Sequence, residues 1–138
     1  MLAALPLLIL PVVVYNLYAL ALPGGLRSVE AQARLQGPIV TVPMASGGQW
    51  IVSWGDLLVF ASLVILFVEL LKSTTSRQTA IINHSLSMLL FIACLVEFLL
   101  FRPFATSAFF LLSAMVLLDV LAGFIVTIAS TRREIDLR

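Results

Sequence analysis

Seven side chains able to carry or hydrogen-bond a proton sit inside otherwise apolar stretches: Asp56, Glu69, Asn83, His84, Ser87, Glu97 and Asp119. Carboxylates and an imidazole spread through hydrocarbon are the groups that relay protons or replace the water around a cation. An ionised carboxylate at the centre of a bilayer costs about 2.5 to 3.5 kcal/mol on insertion scales, so each such group needs a partner or a purpose. On a helix, Asn83, Ser87, Leu90, Cys94 and Glu97 fall at i, i+4, i+7, i+11 and i+14 and share one stripe that must face protein or water. His84 lies about 100° from that stripe. Gly55, Ser62 and Glu69 recur every seven residues as a second stripe, and Asp119 has Gly123 at i+4. Small and polar residues at these spacings suit close helix contact, so the three faces are expected to meet.

Depth separates the seven. At about 1.5 Å per residue, Asp56 and Glu97 fall about 8 and 6 Å inside one membrane boundary, and Glu69 and His84 about 3 and 6 Å inside the other. Asp119 lies about 23 Å from one end of its span and about 14 Å from the other, which makes it the deep carboxylate. Two roles follow for it. In the first it centres a proton or cation path, with His84 and Glu69 on one side and Glu97 and Asp56 on the other. In the second it is protonated, or bonded to Ser87 or Asn83, and holds helices or subunits together. Contact roles are equally open to the rest: Glu69 with Lys72 at i+3, Glu97 with Arg102 or the loop above it, and His84 as a capped residue at the interface. A third role, a lipid or quinone site, would use His84 and Phe91.

No cofactor is expected. Glu69, His84 and Asp119 differ in depth by up to about 11 Å, too far for one metal. The lone His84 cannot supply bis-histidine haem ligation, and the lone Cys94 cannot form an internal disulfide or a CxxC centre, so it reads as a small packing residue. Neither phosphate-binding nor acyl-transfer motifs occur, and the segments outside the apolar stretches are too short for a catalytic domain, so the chain is not expected to be an enzyme.

The elements that would position these groups are membrane spans. Of 138 residues 62% are hydrophobic and 11% charged, and the mean hydropathy is +1.14, values beyond those of soluble cores. A formal net charge of +1, with no basic cluster larger than Arg132-Arg133, argues against nucleic acid. A hydrocarbon core needs about 20 residues of helix. The whole chain therefore reads as a single all-α transmembrane domain of four helices, with spans over 2–22, 51–71, 80–101 and 104–128, an outer loop over 23–50 and a cytoplasmic tail over 129–138. The first apolar run is followed by Ala19-Leu20-Ala21, but its length and lack of a basic leader predict a retained span rather than a cleaved signal.

Lys72, Arg77, Arg132, Arg133 and Arg138 lie on one side of this arrangement and Arg27, Arg34 and Arg102 on the other, a five-to-three split that places both termini in the cytoplasm. Tyr15, Tyr18, Trp50 and Trp54 fall near the opposite boundary, as an aromatic belt would. In the loop, "SVEAQARLQ" predicts a turn or two of helix with Glu30 and Arg34 paired, "IVTV" predicts extended chain, and Trp50 and Trp54 at i,i+4 predict a cap folded on the membrane. Pro6 and Pro11 predict a bent or lipid-facing first helix. "VELLK" at 68–72 and "VEFLLFR" at 96–102 look alike, but such apolar matches arise by chance and do not establish a repeat.

The run "WIVSWGDLLVFASLVILFVELLKSTTSRQTAIINHSLSMLLFIACLVEFLLF", with "DVLAGFIVTIASTRREID" after it, resembles small four-span inner-membrane proteins of bacteria to which no activity is assigned. The resemblance covers most of the chain and implies the bacterial inner membrane, but no reaction. Small multidrug transporters place an essential Glu in the first span, where this chain has only Asn16. Quinone-linked disulfide-forming proteins need cysteine pairs. The expectation is thus a non-enzymatic four-helix membrane protein. Its partners would be the bilayer and either other membrane subunits, to which it is accessory, or further copies of itself. The alternative is a small proton- or cation-conducting unit centred on Asp119.

Overall fold

The structure, a computed structural model, describes residues 4–72 and 77–137, the side chains of residues 77–79 excepted. Part of the "KSTTSRQT" link therefore lies outside the described residues. The chain is mostly helical. Three helices are long and apolar enough to cross a membrane: α3 (Trp54–Lys72), the part of α4 (Arg77–Leu100) from Ala80, and α5 (Ser107–Asp136), with mean hydropathies of 2.1, 1.8 and 2.5. α5 packs against both α3 and α4. Its buried face of Phe109, Leu112, Val116 and Asp119 follows helical spacing, because those positions return to one side every three or four residues.

The first apolar segment departs from the expected span over 2–22. Its helix, α1, covers only Ile9–Ala21, about 20 Å at 1.5 Å per residue. Pro6 precedes the helix, and Pro11 occupies its first turn, where a backbone N–H has no helical acceptor to lose. The prolines thus delay the helix start rather than bend a long span.

Residues 23–53 are not a plain loop. A 3₁₀ turn (Gly25–Arg27) leads to α2 (Ala31–Leu35), then β1 (Pro38–Pro43) and β2 (Gln49–Ser53), which pair antiparallel with Val42 opposite Trp50 and Thr41 opposite Ile51. Gly47 has φ of 84°, which closes the hairpin where a side chain would be strained. The helical turn and the extended "IVTV" fall as expected, and Arg34 reaches Glu30 at 3.0 Å. The partner strand does not: residues 51–53 are β2 rather than the start of a span, so the fold is not purely α. Trp50 and Trp54 therefore sit on a strand and a helix and form no i,i+4 pair.

Ser53 ends β2 and caps α3. Its hydroxyl accepts from the Asp56 N–H at 3.2 Å, and the Asp56 carboxylate accepts from the Ser53 N–H at 2.9 Å and from its hydroxyl at 2.8 Å, a reciprocal capping box. After α4 a second 3₁₀ turn, Arg102–Phe104, rather than span residues, leads to the N-cap of α5. There the Thr106 side chain accepts from the Phe109 N–H at 3.2 Å. α5 continues to Asp136, so the expected tail from 129 is helical through that residue.

Tyr15 is the main anchor of α1. It is fully buried, with its ring 4.8 Å from Phe109 and 5.3 Å from Phe104. Its hydroxyl donates to the Pro103 carbonyl at 2.7 Å and lies 2.6 Å from Thr106 Oγ1. Tyr15 is therefore a core residue and not part of an interfacial belt, whereas Trp50 and Trp54 are exposed.

Candidate functional site

The polar residues fall into three groups, and two of them are local or pairwise. Asp56 is exposed and engaged in the capping box, at the first turn of α3 rather than deep in a span. Glu97 is half-buried, and its carboxylate accepts from Asn16 Nδ2 at 3.3 Å, which joins α4 to α1. Neither Arg102 nor the loop provides that partner.

The third group gathers Glu69, His84, Ser87 and Asp119, from α3, α4 and α5, with Asn83 one turn before Ser87 on α4. Ser87 and Asp119 are buried, and the Ser87 hydroxyl donates to the Asp119 carboxylate at 2.8 Å. Glu69, His84 and Lys72 lie near Asp119. Glu69 is 1% exposed. Its Oε2 accepts from the Leu7 N–H at 2.9 Å and lies 3.4 Å from Lys72 Nζ, which in turn donates to the Leu5 carbonyl at 2.7 Å. The Glu69–Lys72 pair therefore holds the chain leading into α1, where the N–H groups at a helix start have no acceptor of their own.

His84 lies across α5, its ring 4.6 Å from Phe124. The approach is possible because residue 123 is Gly: a Cβ there would meet His84 Cγ at 3.0 Å and Cε1 at 3.1 Å. His84 is thus packed against α5, with Phe124 as its ring partner. The small residues of α3 act in the same way. Gly55 and Ser62 are buried with Glu69, and a Cβ on Gly55 would stand 3.3 Å from the Leu35 carbonyl oxygen.

Among the described residues, three buried side-chain atoms have no hydrogen-bond partner: Glu69 Oε1, Asn83 Nδ2 and His84 Nδ1. All belong to this third group. A buried polar atom left unpaired costs about 1 to 3 kcal/mol, so the cluster has unused bonding capacity for water, a proton or another polar group. Among the described residues no group of three or more His, Cys, Asp or Glu side chains converges.

The cluster does not continue to the hairpin end. Ser87 and Glu97 are ten residues apart on α4, about 15 Å. Leu66, Cys94, Leu112 and Val116 belong to one buried apolar cluster beside this stretch of α4, and the hydroxyls of Ser62 and Ser113 on the neighbouring helices donate to their own helix carbonyls, Leu58 at 2.7 Å and Phe109 at 2.9 Å. The arrangement is a polar node and a separate Asn16–Glu97 bond with a mainly apolar stretch between them.

The Tyr15–Thr106 contact and the Asn16–Glu97 bond join residues 91 and 81 positions apart, and helical spacing within one segment carries no signal for either. A tyrosine hydroxyl inside an apolar helix does require a partner, and Thr106 just before an apolar run is a cap signature. Compared with known proteins, the chain matches no family model, no curated protein and no solved structure.

Proposed function

We propose that this chain is a non-enzymatic four-span membrane protein that acts through helix contacts, as an accessory or assembly subunit of a larger inner-membrane complex or as a homo-oligomer. The observation that carries this reading is how its intramembrane polar groups are used. Asp119 is bonded to Ser87, Glu97 to Asn16, and Glu69 to Leu7 and Lys72, so each joins two segments of the chain. Between the node and Glu97 the Ser62 and Ser113 hydroxyls are each turned to a carbonyl of their own helix, Leu58 and Phe109, which argues against a continuous relay. In this reading α1, with the turn before it, forms the fourth crossing. The hairpin faces outward, and both termini are cytoplasmic, as the Lys/Arg split favours. The resemblance to small inner-membrane proteins of bacteria points the same way.

A second reading, a proton- or cation-conducting unit centred on Asp119, is favoured by one observation: the unpartnered Glu69, Asn83 and His84 atoms in the same cluster. Water or a neighbouring subunit would have to supply the missing steps. Decay of a pH gradient in proteoliposomes separates the readings. The contact reading expects no flux from wild type. Wild-type flux that disappears in Asp119→Asn, with assembly intact, would overturn it, because an amide keeps the shape but cannot titrate.

A further inference from the structure

We propose that Arg27 and Arg102 together hold the phosphate of an anionic phospholipid at the hairpin end of the bundle. The two arginines come from different 3₁₀ turns, Gly25–Arg27 and Arg102–Phe104, which pack against each other. With Leu26, Leu100 and Phe101 they line one pocket of about 530 Å³. No carboxylate lines it, and among the described residues neither guanidinium makes an ion pair or hydrogen bond. Arg34, by contrast, is already paired with Glu30.

Two like charges brought to one pocket repel unless an anion lies between them, and the planar donor fork of Arg matches phosphate oxygens. The lining says which kind of phosphate fits. Leu100 ends the apolar helix α4 and is 71% exposed, so the pocket spans the level where hydrocarbon gives way to charge. A ligand with an anionic head and an apolar tail satisfies both halves at once: its phosphate meets Arg27 and Arg102 while its first chain carbons lie on Leu26, Leu100 and Phe101. A soluble phosphate would leave the apolar half uncovered.

The test uses full-length protein, delipidated in detergent and titrated with phosphatidylglycerol in native mass spectrometry. One bound lipid is expected, held more tightly than phosphatidylcholine. Arg27→Gln and Arg102→Gln should each weaken it about tenfold, the size of one charge-assisted hydrogen bond. Leu100→Ser should weaken it too, and Arg34→Gln should leave it unchanged. All four positions are exposed, and an unaltered helical circular dichroism spectrum verifies folding. The proposal is overturned if Arg27→Gln/Arg102→Gln binds the lipid as wild type does. It is also overturned if millimolar inorganic phosphate displaces the lipid completely, which would make the pocket a site for a soluble anion.

Discussion

The Ser87 hydroxyl donates to the Asp119 carboxylate at 2.8 Å, with both residues buried, and so joins α4 to α5. Removing either partner has a different consequence. Ser87→Ala leaves the acid without its donor and should destabilise the protein by about 1 to 3 kcal/mol. Asp119→Asn keeps the shape and an acceptor for the same hydroxyl and should cost less. Thermal unfolding in one detergent, followed by circular dichroism, gives the order. An Asp119→Asn variant less stable than Ser87→Ala would show that the Ser87 bond is not what holds the acid.

Gly123 and His84 give a second, steric test of the same helix pair. Gly123→Ala places a methyl against the imidazole, and the ring must move or the helices separate, at about 1 to 3 kcal/mol. Shortening the ring in Gly123→Ala/His84→Ala should recover part of that loss, because the two changes act on one contact. Strictly additive losses would mean that the residues do not touch.

Helical faces were legible in the sequence, since spacing alone decides which side chains share a side. The buried Ser87 and Cys94, and the stripe of Gly55, Ser62 and Glu69, fall where a period of 3.6 puts them. The same logic offered Ser87 or Asn83 as a partner for Asp119, of which Ser87 is the one bonded, and it paired Glu30 with Arg34. Element ends were much less legible. "QWIVS" is apolar enough to read as the first turn of a span, although Ser53 followed by Asp56 three residues on is a capping-box signature that marks the helix start after it. Pro11 is as compatible with a helix start as with a mid-helix kink. Tyr15 near a span end reads equally as a belt or a core residue, and only the fold, which brings Phe104, Thr106 and Phe109 around it, decides.

Tyr15→Phe isolates the hydroxyl that ties α1 to the corner before α5. It preserves the ring packing and deletes the bonds to Pro103 and Thr106, so a loss of about 1 to 3 kcal/mol is expected. Limited proteolysis between α1 and α3 should also speed up if this bond fixes α1. Unchanged stability and cleavage would indicate that the aromatic packing alone is sufficient.

The proposed orientation is checked by single-cysteine labelling in a Cys94→Ser background. Gln32→Cys, next to the hairpin, should react with an impermeant maleimide added outside intact cells, and Arg133→Cys only after permeabilisation. The reverse pattern would invert the topology.

Under the proposed function the protein works through contacts with other membrane subunits or with itself. Native mass spectrometry after mild extraction from the membrane measures this directly, because one chain is 15.0 kDa. A defined species heavier than one chain is expected, either with co-purifying subunits or as a whole multiple of its mass. A lone chain at every protein and detergent concentration tried, after extraction mild enough to keep known complexes intact, would contradict it.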